Sequence, residues 1–170
     1  MAKILTVNTT KCTGCGTCEL ACSMKNTGEF NPTRSRIQVI SLDTDFAQLP
    51  IVCVQCYRPP CAEICPTEAI TRDKITGIVR VNAALCTGCR MCEDACPLGV
   101  IVFSELEQKA VKCELCDGDP QCVKSCPKGA IEYIDYDRIG IARKRAGIQK
   151  ISKIMRLIME RAEVEVGKEE

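Results

Sequence analysis

The chain has 170 residues, a formal net charge of +1 at pH 7, 16 Cys, no His and no Trp. Its length is enough for one ordinary domain or two very small ones. The absence of a basic patch interleaved with aromatic residues argues against a nucleic acid partner. The lack of His removes the commonest general base of enzymes.

The N-terminal segment predicts a short strand over residues 4–7 and shows no targeting signal. Its sequence, MAKILTVNTTKC, lacks an apolar run long enough for a signal peptide and has no twin arginine. No stretch of about 20 apolar residues, the length that spans a bilayer, occurs along the chain. We therefore expect a cytoplasmic protein with reduced thiols and no direct membrane insertion.

The sixteen cysteines form four groups of four, and the groups alternate between two types. The first and third groups fit the run CxxCxxCxxxC, which holds cubane iron–sulfur clusters. The second and fourth groups have a wider middle gap and keep a final CxxxCP. In chain order the groups are Cys12, Cys15, Cys18, Cys22; Cys53, Cys56, Cys61, Cys65; Cys86, Cys89, Cys92, Cys96; and Cys113, Cys116, Cys122, Cys126.

Zinc and disulfides are the alternatives to iron. Paired CxxC elements also serve zinc sites, and an even cysteine count fits disulfides in secreted chains. Three cysteines at i, i+3 and i+6 instead wrap one loop around three corners of a cube, so we favour four [4Fe-4S] clusters with all sixteen cysteines as ligands. With about −2 on each cluster and its thiolates, the protein would carry about −7. Metal binding would then supply folding free energy.

Short apolar runs between the cysteine groups predict strands over residues 37–40, 78–81, 100–103 and 131–134. The segment after each third cysteine predicts a short helix, at 19–24, 62–64, 93–95 and 123–125. Between the first two groups, residues 23–52 predict a hairpin that covers one cluster. A docking surface for a partner is the alternative for this segment.

The C-terminal tail changes character at about residue 138. Ile148, Ile151, Met155, Ile158 and Ala162 recur at gaps of three and four, which places them on one helical face. This pattern predicts an amphipathic helix over about 140–164. The helix could pack on the chain's own core, contact another subunit or a second copy, or lie on a membrane surface.

The sequence also repeats itself. CTGCGTCELAC matches CTGCRMCEDAC, and CAEICPTEAI matches CVKSCPKGAI. Such repetition predicts two units of two clusters each. The expected fold is α+β, with two tandem bacterial dicluster ferredoxin-like units of short hairpins and short helices, followed by the C-terminal helix.

Four motifs in this order, with CP endings on three, resemble the four-cluster ferredoxin-type electron-transfer subunits of large redox enzymes. That family includes iron–sulfur subunits of the dimethyl sulfoxide reductase class, of tungsten aldehyde oxidoreductases, and of carbon monoxide dehydrogenase-linked and hydrogenase-linked enzymes. The resemblance covers about residues 3–136. The short fourth motif is similar to smaller members of the family. The segment FNPTRSRIQV resembles small subunits of tungsten aldehyde and aromatic acyl-CoA enzymes.

The resemblance implies which cysteines share a cluster. The first and fourth motifs would share two clusters, and the second and third motifs the other two. The implied outer unit is 1–47 with 105–137, the inner unit is 48–104, and 138–170 would contact another subunit. The implied ligand sets are Cys12, Cys15, Cys18, Cys126; Cys113, Cys116, Cys122, Cys22; Cys53, Cys56, Cys61, Cys96; and Cys86, Cys89, Cys92, Cys65.

The resemblance further implies a non-catalytic subunit that relays single electrons. Its first partner would be a catalytic subunit of tungstopterin or molybdopterin type, and its second a flavin/NAD subunit, a hydrogenase or a soluble ferredoxin. Carbon monoxide dehydrogenase, formate dehydrogenase and hydrogenase complexes are alternative settings, and a free polyferredoxin carrier is another. An anaerobic way of life fits these partners. A third class of function is an enzyme in its own right or a redox-sensing regulator. A labile sensor cluster needs an open iron site and a regulator needs a nucleic-acid surface, and the sequence shows neither.

Overall fold

The computed structural model describes residues 3–42 and 47–136. One compact unit covers the chain up to residue 134. The helix expected over 140–164 lies outside the described residues, as does its proposed role in subunit contact.

Strands in the described part of the chain form four two-stranded sheets, in agreement with the expected hairpins. The first strand pairs with the last, and each of the remaining strands pairs with a neighbour in sequence. The strands are β1 (Lys3–Val7), β2 (Gln38–Leu42), β3 (Ala47–Ile51), β4 (Ile70–Arg72), β5 (Val79–Val81), β6 (Ile101–Ser104), β7 (Lys109–Lys112) and β8 (Ile131–Asp135). The pairs β2–β3, β4–β5 and β6–β7 are antiparallel.

The helices carry the third cysteine of each motif. They are α1 (Thr17–Thr27), α2 (Pro60–Glu63), α3 (Met91–Asp94) and α4 (Gln121–Lys124), with 3-10 segments at Thr9–Lys11, Pro32–Arg34 and Leu115–Gly118. Helix α1 runs to Gly28, whose positive φ of 74° and N–H bond to the Met24 carbonyl end it. No helix among the described residues has the length and apolar character needed to cross a membrane.

Two buried clusters of side chains form the interior, and cysteines belong to both. The first joins Leu5, Ile37, Val52, Ile78, Leu115 and Ile131 with Cys18, Cys22, Cys53, Cys113 and Cys122. The second joins Ile70, Val79, Ile101 and Ala110 with Cys61 and Cys92. The small mixed fold agrees with the expected α+β class, while the division into outer and inner units stays a prediction.

Candidate iron–sulfur sites

Four cavities lie among the cysteine loops, and each is lined by four cysteines drawn from two different motifs. We name them sites A to D. Site A is lined by Cys12, Cys15, Cys18 and Cys126. Site B is lined by Cys22, Cys113, Cys116 and Cys122. Site C is lined by Cys53, Cys56, Cys61 and Cys96. Site D is lined by Cys65, Cys86, Cys89 and Cys92.

The remaining walls of these cavities are mainly apolar. Val39 and Pro50 of the β2–β3 hairpin line site A, so the hairpin expected to cover a cluster lies over this cavity. Phe103 and Ala110 line site D. The cavities have similar empty volumes of about 340, 340, 380 and 410 Å³, including space open to solvent.

The cysteines are separate thiols. All sixteen lie within the described residues and are free of disulfide bonds. Over 3–42 and 47–136, no three His, Cys, Asp or Glu side chains are grouped closely enough to hold one metal ion. A cubane differs from a single ion in that its own iron and sulfide atoms fill the centre, so its four thiolates stand farther apart.

Site B lies between sites A and C. Burial raises the pKa of Cys113 to about 12, and the negative charge of Cys53 in site C adds to the effect. Burial also raises the pKa of Cys122, where Cys18 of site A is among the neighbouring thiolates that contribute. These interactions connect site B to a neighbour on each side.

Site D follows site C and, like site A, reaches the surface. Burial raises the pKa of Cys92 to about 11, with a further contribution from the charge of Cys61 in site C. Cys15 in site A and Cys89 in site D are exposed, whereas the cysteines of sites B and C are buried or half-buried. A hydrogen bond from Thr17 lowers the pKa of Cys15. Sites A and D therefore each include an exposed cysteine, and sites B and C include none.

Backbone N–H groups point at several of the sulfur atoms. Such donors stabilise negative charge on sulfur and raise the reduction potential of a bound cluster. At sites A, B and D they are Ala130 N to Cys126 Sγ at 3.2 Å, Arg36 N to Cys22 Sγ at 3.3 Å, and Ala110 N to Cys86 Sγ at 3.5 Å. At Cys22 the Asn26 side-chain amide donates as well, at 3.5 Å.

Comparison with known families accounts for all four motifs. A family described as 4Fe-4S dicluster domain matches residues 44–136, more than half of the chain. The chain belongs to the 4Fe-4S dicluster domain family. A second family, described as 4Fe-4S binding domain, matches residues 5–23. The dicluster match contains the last three cysteine motifs, and the second match contains the first motif. All four motifs therefore lie within matches to families described by 4Fe-4S binding.

Curated relatives of this dicluster protein include subunits of oxidoreductases. Formate hydrogenlyase subunit 2 of Escherichia coli (strain K12) is 38% identical over 104 residues, 61% of this chain and 49% of that protein. The polyferredoxin-like subunit of aliphatic sulfonate oxidoreductase from Pyrococcus furiosus is 44% identical over 87 residues, 51% of this chain and 50% of that protein. The chain spans about half the length of these relatives. Their names agree with the expectation of a non-catalytic electron-transfer subunit.

A solved structure with a similar arrangement is the active site complex BamBC of benzoyl coenzyme A reductase with benzoyl-CoA. The matched chain is 23% identical, with a TM-score of 0.47, and the match covers 85% of this dicluster chain and 88% of that chain.

Sequence reasoning missed the polar side chains that fix the loops of the dicluster sites. Arg72 Nη1 donates to the backbone oxygen of Gln55 at 2.8 Å and also to that of Cys56, which holds the loop of site C. Lys112 lines site C beside its cysteines. No spacing in the sequence marks Arg72 or Lys112, because their roles depend on contacts between distant segments.

Proposed function

We propose that sites A to D each hold one [4Fe-4S] cluster, with the four cysteines that line the cavity as its ligands. The observation that carries this proposal is that every cavity combines three cysteines of one motif with the fourth cysteine of another. This is the ligand pattern of two-cluster ferredoxins. The free thiols, the N–H groups directed at sulfur and the apolar walls all fit such a cluster.

We further propose that the protein is an electron-transfer subunit of an oxidoreductase complex. A bound [4Fe-4S] cluster supplies a centre that gains or loses one electron. The protein's own residues hold the sulfur atoms and donate hydrogen bonds to the ligands. The names of the relatives support this role.

The order of the sites gives the proposed path. Exposed Cys15 and Cys89 mark sites A and D as the two ends, where partners can approach. Sites B and C lie between them with no exposed cysteine. An electron entering at one end would therefore pass through both central sites before it leaves at the other end.

For the catalytic partner, we propose a tungstopterin or molybdopterin enzyme of aldehyde oxidoreductase type. The resemblance of FNPTRSRIQV to small subunits of such enzymes supports this choice. A formate- or hydrogen-linked complex is the second candidate, supported by the formate hydrogenlyase relative. The free thiols are consistent with assembly in a reducing, cytoplasmic setting.

Iron and acid-labile sulfide analysis of anaerobically reconstituted full-length protein tests the number of clusters. Four cubane clusters give about 16 iron and about 16 sulfide per chain. Eight or fewer of each would contradict the proposal. Purification of the tagged protein from native anaerobic cells tests the subunit role, since a chain recovered alone would favour a free polyferredoxin carrier.

A further inference from the structure

Lys112 is the last residue of β7 and is buried inside the unit. Its exposed fraction is 2%, although Lys is almost never fully buried without compensation. Its ammonium donates to the Val79 carbonyl at 2.5 Å and to the Cys113 carbonyl at 2.7 Å. These two bonds satisfy donors of the ammonium but bring no negative charge to it.

A second buried side chain fixes the same two residues. Gln55 Nε2 donates to the Cys113 carbonyl at 2.9 Å, and Gln55 Oε1 accepts from Val79 N at 2.8 Å. Gln55 lies in the loop between Cys53 and Cys56 of site C. The position of the Lys112 ammonium is therefore set from both the site C loop and the backbone of site B.

Cysteines of both central sites lie around Lys112. Lys112 lines site C and bonds the carbonyl of a site B cysteine. The same buried cation thus lies beside both central sites, lining the cavity of site C and bonded to the backbone of site B.

We propose that Lys112 is a positioning residue that raises the reduction potentials of the two clusters bound in sites B and C. This inference rests on the proposed function. Reduction adds one negative charge to a cluster. A fixed positive charge nearby stabilises the reduced form more than the oxidised form, and the effect is large where water is excluded. Lys112 would favour electron occupancy in the middle of the path rather than at its ends.

The test is a redox titration followed by electron paramagnetic resonance on full-length holoprotein and on Lys112→Met. Met retains much of the length of the lysine stem but has no charge. We expect the equilibrium constant for reduction to fall about tenfold at two of the four clusters, which is about 59 mV for a one-electron couple. The other two clusters should keep their potentials. Unchanged potentials at all four clusters would overturn the proposal.

Two controls separate charge from structure. Lys109→Met removes the same charge from the same strand, but at a half-buried position where Lys109 Nζ lies 3.5 Å from Glu107 Oε2, and it should leave all four potentials unchanged. Lys112→Arg keeps the charge, so the potentials of its two central clusters should lie closer to those of the native protein than to those of Lys112→Met.

Iron analysis of each sample distinguishes this inference from the proposed function. Native protein with fewer than four clusters would contradict the proposed function. Native protein with four clusters and Lys112→Met with four clusters but unchanged potentials would contradict only the role of Lys112. If Lys112→Met and Lys112→Gln both lose iron while Lys112→Arg retains it, the charge is needed for folding and the tuning role is overturned.

Discussion

Glu19 and Glu93 occupy the same position in the two repeated motifs and make the same contact. Glu19 Oε1 accepts a hydrogen bond from Val39 N at 2.9 Å, and Glu93 Oε1 accepts one from Phe103 N at 2.5 Å. Each carboxylate directly follows the third cysteine of its motif. The hydrogen bond therefore connects the helix that carries that cysteine to a strand. A side chain of that strand lines the site to which the cysteine belongs.

Replacing Glu93 with Leu should destabilise the protein by about 1–3 kcal/mol, because the Phe103 N–H loses its acceptor in a partly buried position. Glu93→Gln keeps an acceptor oxygen and should cost much less. The measurement is the midpoint of anaerobic urea unfolding for the two variants and the native protein, all loaded with iron. Equal losses in Leu and Gln variants would show that the carboxylate charge, rather than the hydrogen bond, stabilises this contact.

Cys22 belongs to the first motif but lines site B, and double variants can test this assignment. Cys22→Ala and Cys116→Ala should each lose the cluster of site B, so the double variant should lose no more than either single variant. Cys22→Ala combined with Cys15→Ala should lose two clusters, about eight iron atoms per chain. Iron analysis with electron paramagnetic resonance counts the clusters in each variant.

The reverse result would contradict the assignment. If Cys22 and Cys15 held the same cluster, their double variant would lose about four iron atoms. The pair Cys22 and Cys116 would then lose about eight. Comparing the two double variants cancels any general loss of stability, since both carry the same Cys22 substitution.

Gly88 lies between the first two cysteines of the third motif, where space and backbone both favour glycine. Its φ is +72°, and an added Cβ would lie 3.0 Å from Phe103 Cε2. That ring is itself stacked by Arg90 at 4.2 Å. Gly99 has φ of +60° and no atom within 4 Å of the added Cβ, so it is a control with similar backbone strain and free space.

We therefore expect Gly88→Ala to lose iron from site D faster than Gly99→Ala loses iron from any site. Both variants carry the strain of a positive φ, about 1–2 kcal/mol. Only the first also displaces the Phe103 ring. The rate of iron transfer to a chelator, measured under anaerobic conditions, compares the two. Equal rates would show that backbone strain alone limits this position.

The burial of the cysteines predicts how iron binding changes with pH. Burial raises the pKa of Cys18 to about 11 and that of Cys113 to about 12, from an ordinary value of 9.0. In the iron-free fold, these protonated thiols contribute stability below about pH 9, and that contribution is lost as the pH rises through 11 to 12. Iron binding needs thiolates, so it must displace these protons and strengthens as the pH rises.

In competition with an iron chelator, the protein should therefore retain more iron at each higher pH between about pH 7 and pH 10. An ordinary thiol would give a dependence that flattens near its pKa of 9.0. Buried thiols should extend the rise beyond that value. Iron retention that stops rising near pH 9.0, as for an ordinary thiol, would contradict the effect of burial on these ligands. The chelator's own proton affinity has to be measured alongside.

Much of the fold follows from local patterns in the sequence. The predicted strands at 4–7, 37–40, 78–81, 100–103 and 131–134 correspond to β1, β2, β5, β6 and β8 within one or two residues at each end. The short helices after the third cysteines are also present, and α1 extends three residues beyond its predicted end. These elements can be predicted because runs rich in Val and Ile, bounded by Gly and other turn residues, are local signals in the sequence.

Other strands have weaker local signals and depend more on pairing. Strand β3 contains Pro50, and β7 reads KAVK, so neither is a strong strand signal alone. They form because β2 and β6 provide antiparallel partners. The ligand sets of the sites came from family resemblance, since motif spacing alone does not say which fourth cysteine joins which loop. The contacts of Lys112 and Gln55 needed the structure.

The combination of Cys126 with Cys12, Cys15 and Cys18 at site A also bears on how the protein is made. A ribosome that has just produced the first motif must add more than 100 residues before the last cysteine of site A exists. Sites C and D are complete in sequence once Cys96 has been made. The clusters proposed for sites C and D therefore have all their ligands at an earlier stage of synthesis than the cluster proposed for site A, whose last ligand precedes β8, the partner of β1.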